Sequence, residues 1–419
     1  MLKIKGIIKH TVIQNAIALY WVQIANFILS FITVPYLSRI LGPSQWGKVI
    51  FAQSFAIWCS LFIEYGFQLS ASRELARNRD YPDKVAQLVA SIHGVKILFV
   101  LLSVFIAIIS YFLVPFFHTN RIFLIGAWLL CVAQGANPFW FFQGIEKLKL
   151  PSIINIIAQV ISVCAIFILI QTPDDAWKVL FIQSICLFLS FGFCIGWMYS
   201  QTVCLIPGIK DIWQTIKLGW SMFLFRASTS LYTSANSFIL GLFVTPAIVS
   251  FYGSAQKISQ AAIQLLLPMS LALYPRINHL MISNPKKSKK IAIMSLTLFL
   301  AAGLLMGLLI ILIAPIAIRL ILGPQYMAVV PVLRILAILV PLIAVSNVLG
   351  IQWMLPNNMD TIFNKTIIGA GLLNIVLAVF LAPIWKAEGM AIAVVISEAF
   401  VTFSMFGVLK FKKMEIWRY

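Results

Sequence analysis

The chain has 419 residues, 61% of them apolar and only 10% charged. Its net charge of +19 would suit a nucleic-acid binder, but the apolar residues gather into runs of about 20, the length that crosses a bilayer. That arrangement excludes nucleic acid as the partner and leaves too little sequence between runs for a soluble domain.

In chain order the runs fall at residues 11–38, 47–70, 88–117, 120–142, 151–171, 177–199, 217–244, 247–273, 291–318, 326–353, 361–384 and 387–410. Twelve such runs predict an all-α integral membrane protein. The lysines before the first run resemble the start of a signal peptide. The run is too long for one and no small-residue cleavage site interrupts it, so an uncleaved first helix is expected. The longest connections, near 71–87, 200–216 and 274–290, are too short to hold a core of their own.

With the N-terminus inside, the inward connections and both ends hold 21 Lys and Arg, against 6 in the outward connections. This contrast follows the positive-inside rule and places both termini in the cytoplasm. Lys286, Lys287, Lys289 and Lys290 read as a topology anchor beside anionic lipid. None of the six cysteines falls in an outward connection, which argues against a disulfide framework, and their spacing does not suit a metal site. Pro35, Pro138, Pro268, Pro331 and Pro341 lie within or near the ends of runs, where they free carbonyls and bend helices. Aromatic residues at run ends, Phe139-Trp140-Phe141-Phe142 and Trp417 with Tyr419, are expected in an interfacial belt.

Two runs share a polar pattern at a constant offset of 203 residues. Gln23, Asn26, Ser30 and Thr33 in the first match Arg226, Thr229, Thr233 and Asn236 in the seventh, and Pro43 and Gln53 match Pro246 and Gln256 beyond them. Steps of three and four put each set on one helix face. A polar face in lipid is costly unless it lines a protein interior or a wet cavity. The repeat therefore predicts two pseudo-symmetric six-helix lobes, residues 1–207 and 208–419, in parallel orientation around a central cavity. The join falls around Ile206–Lys217, where Pro207-Gly208 breaks the periodicity. A transporter is the expected class.

Several charges lie inside runs. Lys96 is expected to snorkel to the inner surface, and Glu64 lies near the inner end of the second run. Arg226, Lys257, Arg334 and Glu398 are deeper, roughly 12–15 Å along their runs at 1.5 Å per residue. A mid-bilayer charge costs about 2.5–3.5 kcal/mol on insertion scales, so three deep cations need a reason. Two readings stay open: a structural ion pair such as Glu398 with Arg334, or a cavity whose surplus positive charge holds a dianion such as a pyrophosphate. Lys257 shares a polar face with Ser254 and Gln264.

The strings PYLSRILGPSQWGKVIFAQ (35–53), EYGFQLSASRELA (64–76), WFFQGIEKLK (140–149), YPRI (274–277), LGPQY (322–326) and SNVLGIQWML (346–355) occur in order along the chain. In them the sequence resembles the Wzx-type O-antigen flippases, a polysaccharide-transport branch of the multidrug/oligosaccharidyl-lipid/polysaccharide exporter superfamily. The resemblance implies a flippase of the bacterial inner membrane that moves undecaprenyl-pyrophosphate-linked oligosaccharide from the cytoplasmic to the periplasmic leaflet by alternating access. It implies Arg226, Lys257 and, less directly, Arg334 as phosphate partners. Gln23, Asn26, Ser30, Thr33, Thr229, Thr233 and Asn236 would offer replaceable hydrogen bonds to sugar hydroxyls. No cofactor is implied beyond a coupling proton or sodium ion, for which Glu398 and Glu64 are the candidates. Membrane lipids, a polysaccharide polymerase and chain-length proteins are the implied partners. The alternative is a multidrug or sugar transporter of related twelve-helix design. A drug exporter would be expected to carry an acid where the first run has none. A membrane glycosyltransferase would need an acid in the first outward connection, and residues 39–46 hold none. Asp174-Asp175 reads as a solvated loop end, and no nucleophile–base pair, metal motif or phosphate loop appears, so an enzyme is not expected.

Overall fold

A computed structural model describes residues 28–412 and 414, apart from the side chains at 231, 232, 267–269, 271, 272, 274, 275 and 282. Gln23, Asn26, Trp417 and Tyr419 lie outside the described residues. Among the described residues all regular structure is helical. Eight of these helices are long and apolar enough to cross a membrane.

The first helix, α1 (Leu2–Glu64), is two helices merged across Gly42, which has φ 68° and ψ 172°. Glycine takes that conformation without a Cβ penalty, and Pro43 restarts the helix beyond it. Then follow α2 (Phe67–Asn78), α3 (Pro82–Leu113), α4 (Pro115–Thr119), α5 (Arg121–Gly135), α6 (Phe139–Gly144), α7 (Lys149–Leu169) and α8 (Lys178–Ser200). After residues 201–208 come α9 (Ile209–Thr233), α10 (Asn236–Gly241), α11 (Pro246–Ser283) and α12 (Pro285–Ile321). The tenth run becomes α13 (Val329–Leu336), α14 (Leu339–Asn347) and a π-helical turn, Val348–Met354. The last helix, α15 (Asp360–Phe411), merges the final two runs across Lys386 at φ 52°, ψ −128°. The predicted runs from residue 47 onward thus all meet helix. The connection expected near 71–87 is itself largely helical, because α2 occupies most of its first half.

Two compact units divide the chain, Met1–Ala227 and Ser228–Tyr419, and the border falls inside α9. In the first unit Phe67, Leu75, Val89, Ile92, Phe142 and Cys194 build one apolar core. The residues expected in an interfacial belt belong to it: Trp140 is 2% exposed and Phe142 is fully buried, stacked on Trp197 at 4.9 Å. Hydropathy marks aromatic residues at a run end without saying whether a neighbouring helix covers them. Gly66, at φ +70°, lets α9 approach so closely that a Cβ there would lie 2.8 Å from the Met222 carbonyl carbon. Beside it Tyr65 stacks on Phe223 at 4.7 Å.

In the second unit Leu266, Phe299, Val340, Ala344 and Val348 form an apolar cluster. Next to it sits a buried polar knot. Ser295 Oγ donates to Gln352 Oε1 at 2.6 Å, and Gln352 Nε2 donates to Ser270 Oγ at 3.1 Å. The π-helical turn carries Gln352, which is fully buried, to the meeting of α11 and α12.

Broken helices leave carbonyls without donors, and in lipid these must be met by protein. Tyr36 shares its hydroxyl between the Phe167 and Ile170 carbonyls at the end of α7, at 3.0 and 2.8 Å. Ser259 Oγ donates to the Leu336 carbonyl at 3.1 Å, where α13 ends. Gln256 Nε2 donates to the Thr233 carbonyl at 2.6 Å, where α9 ends. Its counterpart in the repeat, Gln53, instead donates to Gln183 Oε1 at 2.9 Å. Matched positions therefore hold their units together through different partners.

Candidate functional site

The charges inside the helices are arranged differently from the sequence expectation at two points. Lys96 does not snorkel: it is 5% exposed, and its Nζ donates to the Asn137 carbonyl at 2.8 Å. That carbonyl stands just past the end of α5, the negative end of a helix dipole, where a cation is stabilised. The sequence marks a bend at Pro138, but nothing in it ties the Asn137 carbonyl to Lys96, 41 positions earlier.

Glu64, near the inner end of its run, has partners within the protein. It ends the second half of α1 and caps α2: Gly66 N donates to Oε2 at 3.1 Å and Gln68 N to Oε1 at 2.9 Å. Arg226 Nη2 stands 3.8 Å from the same Oε2. The carboxylate is thus committed to the first turn of α2, and Arg226 only leans on it. The Arg226 side chain is 37% exposed, and 3.8 Å is longer than a hydrogen bond. Its guanidinium fork therefore keeps donors for an anion.

The second difference concerns the alternative of a Glu398–Arg334 pair. Arg334 is exposed, and its Nε donates to the Ile311 carbonyl at 3.3 Å. Pro315, four residues on, has no N–H to give that carbonyl, so Arg334 fills a gap in α12. Glu398 is 4% exposed and bonds Ser346 Oγ at 2.6 Å. Among the described residues no ion pair joins Glu398 to a cation, so the two deep charges are independent.

Lys257 lies half-buried on α11, one residue past Gln256. The face it was expected to share is divided, because Ser254 is fully buried while Gln264 is exposed. The polar pattern of the repeat is divided as well. Ser30 is exposed, whereas Thr33 is 9% exposed and turns its hydroxyl back to the Leu29 carbonyl at 2.6 Å. Thr229 is half-buried, and Thr233 donates to its carbonyl at 2.8 Å. Asn236 is fully buried at the start of α10. Backbone carbonyls take the hydroxyl protons of Thr33 and Thr233 and leave them only as acceptors, a common fate of threonine inside a helix. Lys96, Arg226, Lys257 and Arg334 still outnumber Glu64 and Glu398 by two within the helices. Among the described residues no group of three or more His, Cys, Asp or Glu could hold a metal ion.

Residues 12–281 match the family described as polysaccharide biosynthesis protein. A protein of Escherichia coli (strain K12) is 31% identical over 398 residues, covering 93% of this chain and 94% of its own length. One of Shigella dysenteriae is 28% identical over 411 residues, covering 95% of this chain and all of its own. Both bear the name "Putative O-antigen transporter". Among solved structures, the lipid II flippase MurJ in an inward closed conformation is similar with a TM-score of 0.72 at 14% identity, covering 95% of this chain and 87% of that one. An inward-facing multidrug resistance MATE family transporter of the MOP superfamily is similar with a TM-score of 0.64 at 13% identity, covering 93% and 98%.

Proposed function

Because the chain belongs to the polysaccharide biosynthesis protein family, we propose that it is a flippase for a lipid-linked surface oligosaccharide. Its head is an undecaprenyl pyrophosphate bearing an O-antigen or related repeat unit, moved from the cytoplasmic to the periplasmic leaflet of the bacterial inner membrane. The full-length likeness to proteins named as O-antigen transporters supports this reading, and the fold shared with a lipid II flippase accords with it.

The observation that carries the reading is Arg226, a guanidinium within the seventh run that is part exposed and, among the described residues, stands 3.8 Å from its carboxylate neighbour Glu64. Arginine presents paired donors to a phosphate, and a charge-assisted bond of this kind is among the stronger polar contacts. In this mechanism Arg226 offsets phosphate desolvation on the first unit and Lys257 does so on the second. Ser30 and Thr229 offer exchangeable hydrogen bonds to hydroxyls. Thr33 and Thr233 contribute less, since their hydroxyls already serve their own helices. Arg334 steadies α12 through the Ile311 carbonyl and is a weaker candidate. The polyprenyl tail stays in the bilayer while the head crosses by alternating access.

Glu398 is the better of the two coupling candidates. Glu64 already accepts two backbone N–H groups, whereas Glu398 is buried with Ser346. A proton entering at Glu398 would remove a charge from an apolar setting. The test is complementation of a cell lacking its own flippase. The wild-type chain restores surface polymer, whereas an Arg226→Ala/Lys257→Ala protein present at equal level in the membrane does not. Normal polymer from the double variant would remove the phosphate role. Uptake of a free sugar without restored polymer would favour a sugar transporter instead.

A further inference from the structure

The first unit holds a polar pocket that the flippase mechanism does not use. It lies among α2, α3 and the first turns of α9 and has a volume of about 460 Å³. Small-molecule sites run from roughly 300 to 1,000 Å³. None of the residues placed above as phosphate or coupling groups lines it.

Its walls are largely polar. Asn78, Gln87 and Gln214 contribute amides, Glu74 and Asp211 contribute carboxylates, and Leu88 and Leu218 supply apolar surface. Two amide–carboxylate pairs are already set. Asn78 Nδ2 donates to Glu74 Oε1 at 2.9 Å, and Gln87 Nε2 donates to Asp211 Oδ1 at 3.2 Å. The Gln87 backbone is held in turn, because Ser91 Oγ donates to its carbonyl at 2.7 Å. Beneath the pocket Leu75, Val85 and Val89 belong to the packed core. These groups are therefore positioned before any ligand arrives, which lowers the ordering cost of binding.

Charge narrows the ligand class. Among the described lining residues Lys84 is the one cation against Glu74 and Asp211, and Arg77, 4.0 Å from Glu74, offsets part of that carboxylate's charge, so the wall has no surplus positive charge. The Lys84 ammonium also sits over the Tyr81 ring, 4.8 Å from the centroid. Such a wall disfavours phosphate. A sugar hydroxyl both donates and accepts, so it matches carboxylates and amides side by side, while a sugar's C–H face suits the two leucines. The geometry points to a subsite for an uncharged sugar ring, gripped by its hydroxyls between the Asn78–Glu74 and Gln87–Asp211 pairs. The inference rests on the flippase reading, which supplies the glycan, and it gives the sugar end of the substrate a place apart from its diphosphate.

Hydrogen exchange of the purified full-length protein, read by mass spectrometry, tests this with free N-acetylglucosamine, galactose, glucose and rhamnose as probes. At a sugar concentration equal to its Kd, amides within 74–91 and 209–218 should exchange about two-fold more slowly with at least one probe. Asn78→Leu/Gln87→Leu should abolish that protection. If this double variant does not fold, Gln214→Ala, at an exposed position of α9, should weaken it. Arg226→Ala should leave the protection intact. A wild-type protein that restores polymer in cells but shows no protection by any of the sugars overturns the pocket and leaves the flippase standing. Protection by spermidine and by no sugar also overturns it, since the pocket is then a cation site. Sugar protection in a protein that restores no polymer keeps the pocket and removes the transport reading.

Discussion

Arg226→Ala separates stability from transport. In the folded protein Arg226 contributes little: its guanidinium is 3.8 Å from Glu64, and 37% of its side chain is exposed. Ion pairs of this kind contribute about 0.2–1 kcal/mol. Removing the arginine does not strand its partner, because Gly66 N and Gln68 N still donate to the Glu64 carboxylate. The fold should therefore lose no more than about 1 kcal/mol, a melting shift of about 2–4 °C at most. Transport should suffer far more. A hydrogen bond to a charged group is worth about 1.5–3 kcal/mol. At about 1.4 kcal/mol per decade that corresponds to a loss of roughly 10–150-fold in flipping rate. Arg226→Lys keeps the charge but not the fork and should fall between. The assay pairs a melting curve of the detergent-purified protein with polymer output from cells matched for membrane level. Full polymer from Arg226→Ala, or a protein that melts far lower than the wild type, would refute the reasoning.

Three further outcomes are expected. Gln352→Leu strands the Ser270 and Ser295 hydroxyls in a buried site and should cost about 1–4 kcal/mol in thermal unfolding, part of it recovered by adding Ser295→Ala; an unchanged melting point would show that the knot contributes nothing. Gly66→Ala places a Cβ at φ +70° against the Met222 backbone and should destabilise by about 2–5 kcal/mol, combining left-handed strain with overpacking; a neutral substitution would mean that α9 is free to withdraw. Glu398→Gln keeps a hydrogen-bonding group beside Ser346, so the protein should fold normally while flipping in vesicles loses its response to an imposed pH gradient; an unaltered response would remove Glu398 from coupling.

The membrane fold was legible because a helix that must bury its backbone polar groups in lipid announces itself as a long apolar run. The first outward connection, expected at residues 39–46, holds the break at Gly42, whose φ of 68° glycine takes readily. The surroundings of the charges were less legible. Hydropathy gave Lys96 a depth, but the carbonyl that receives it belongs to Asn137, 41 positions away. Glu64 and Arg226 are further apart still, and no periodicity links residues on different helices. The fate of polar side chains was equally hidden. Gln53 and Gln256 occupy equivalent places in the repeat, yet one bonds a side chain and the other a helix end. Sequence spacing assigns a polar residue to a face. Only packing decides whether a broken backbone nearby claims its hydrogen bonds first.

Helix α9 carries one more implication, for biogenesis. Over its described residues it is not among the eight segments apolar enough to cross a membrane unaided. As the polypeptide leaves the translocon, this segment, which carries Lys217 and Arg226, gains less from lipid than the eight do. What receives it was synthesised earlier: Tyr65 and Gly66 form the seat for Gly219 and Phe223. Substitutions at that seat should show themselves first as failed insertion and proteolysis of the nascent chain, before any defect in export can be measured.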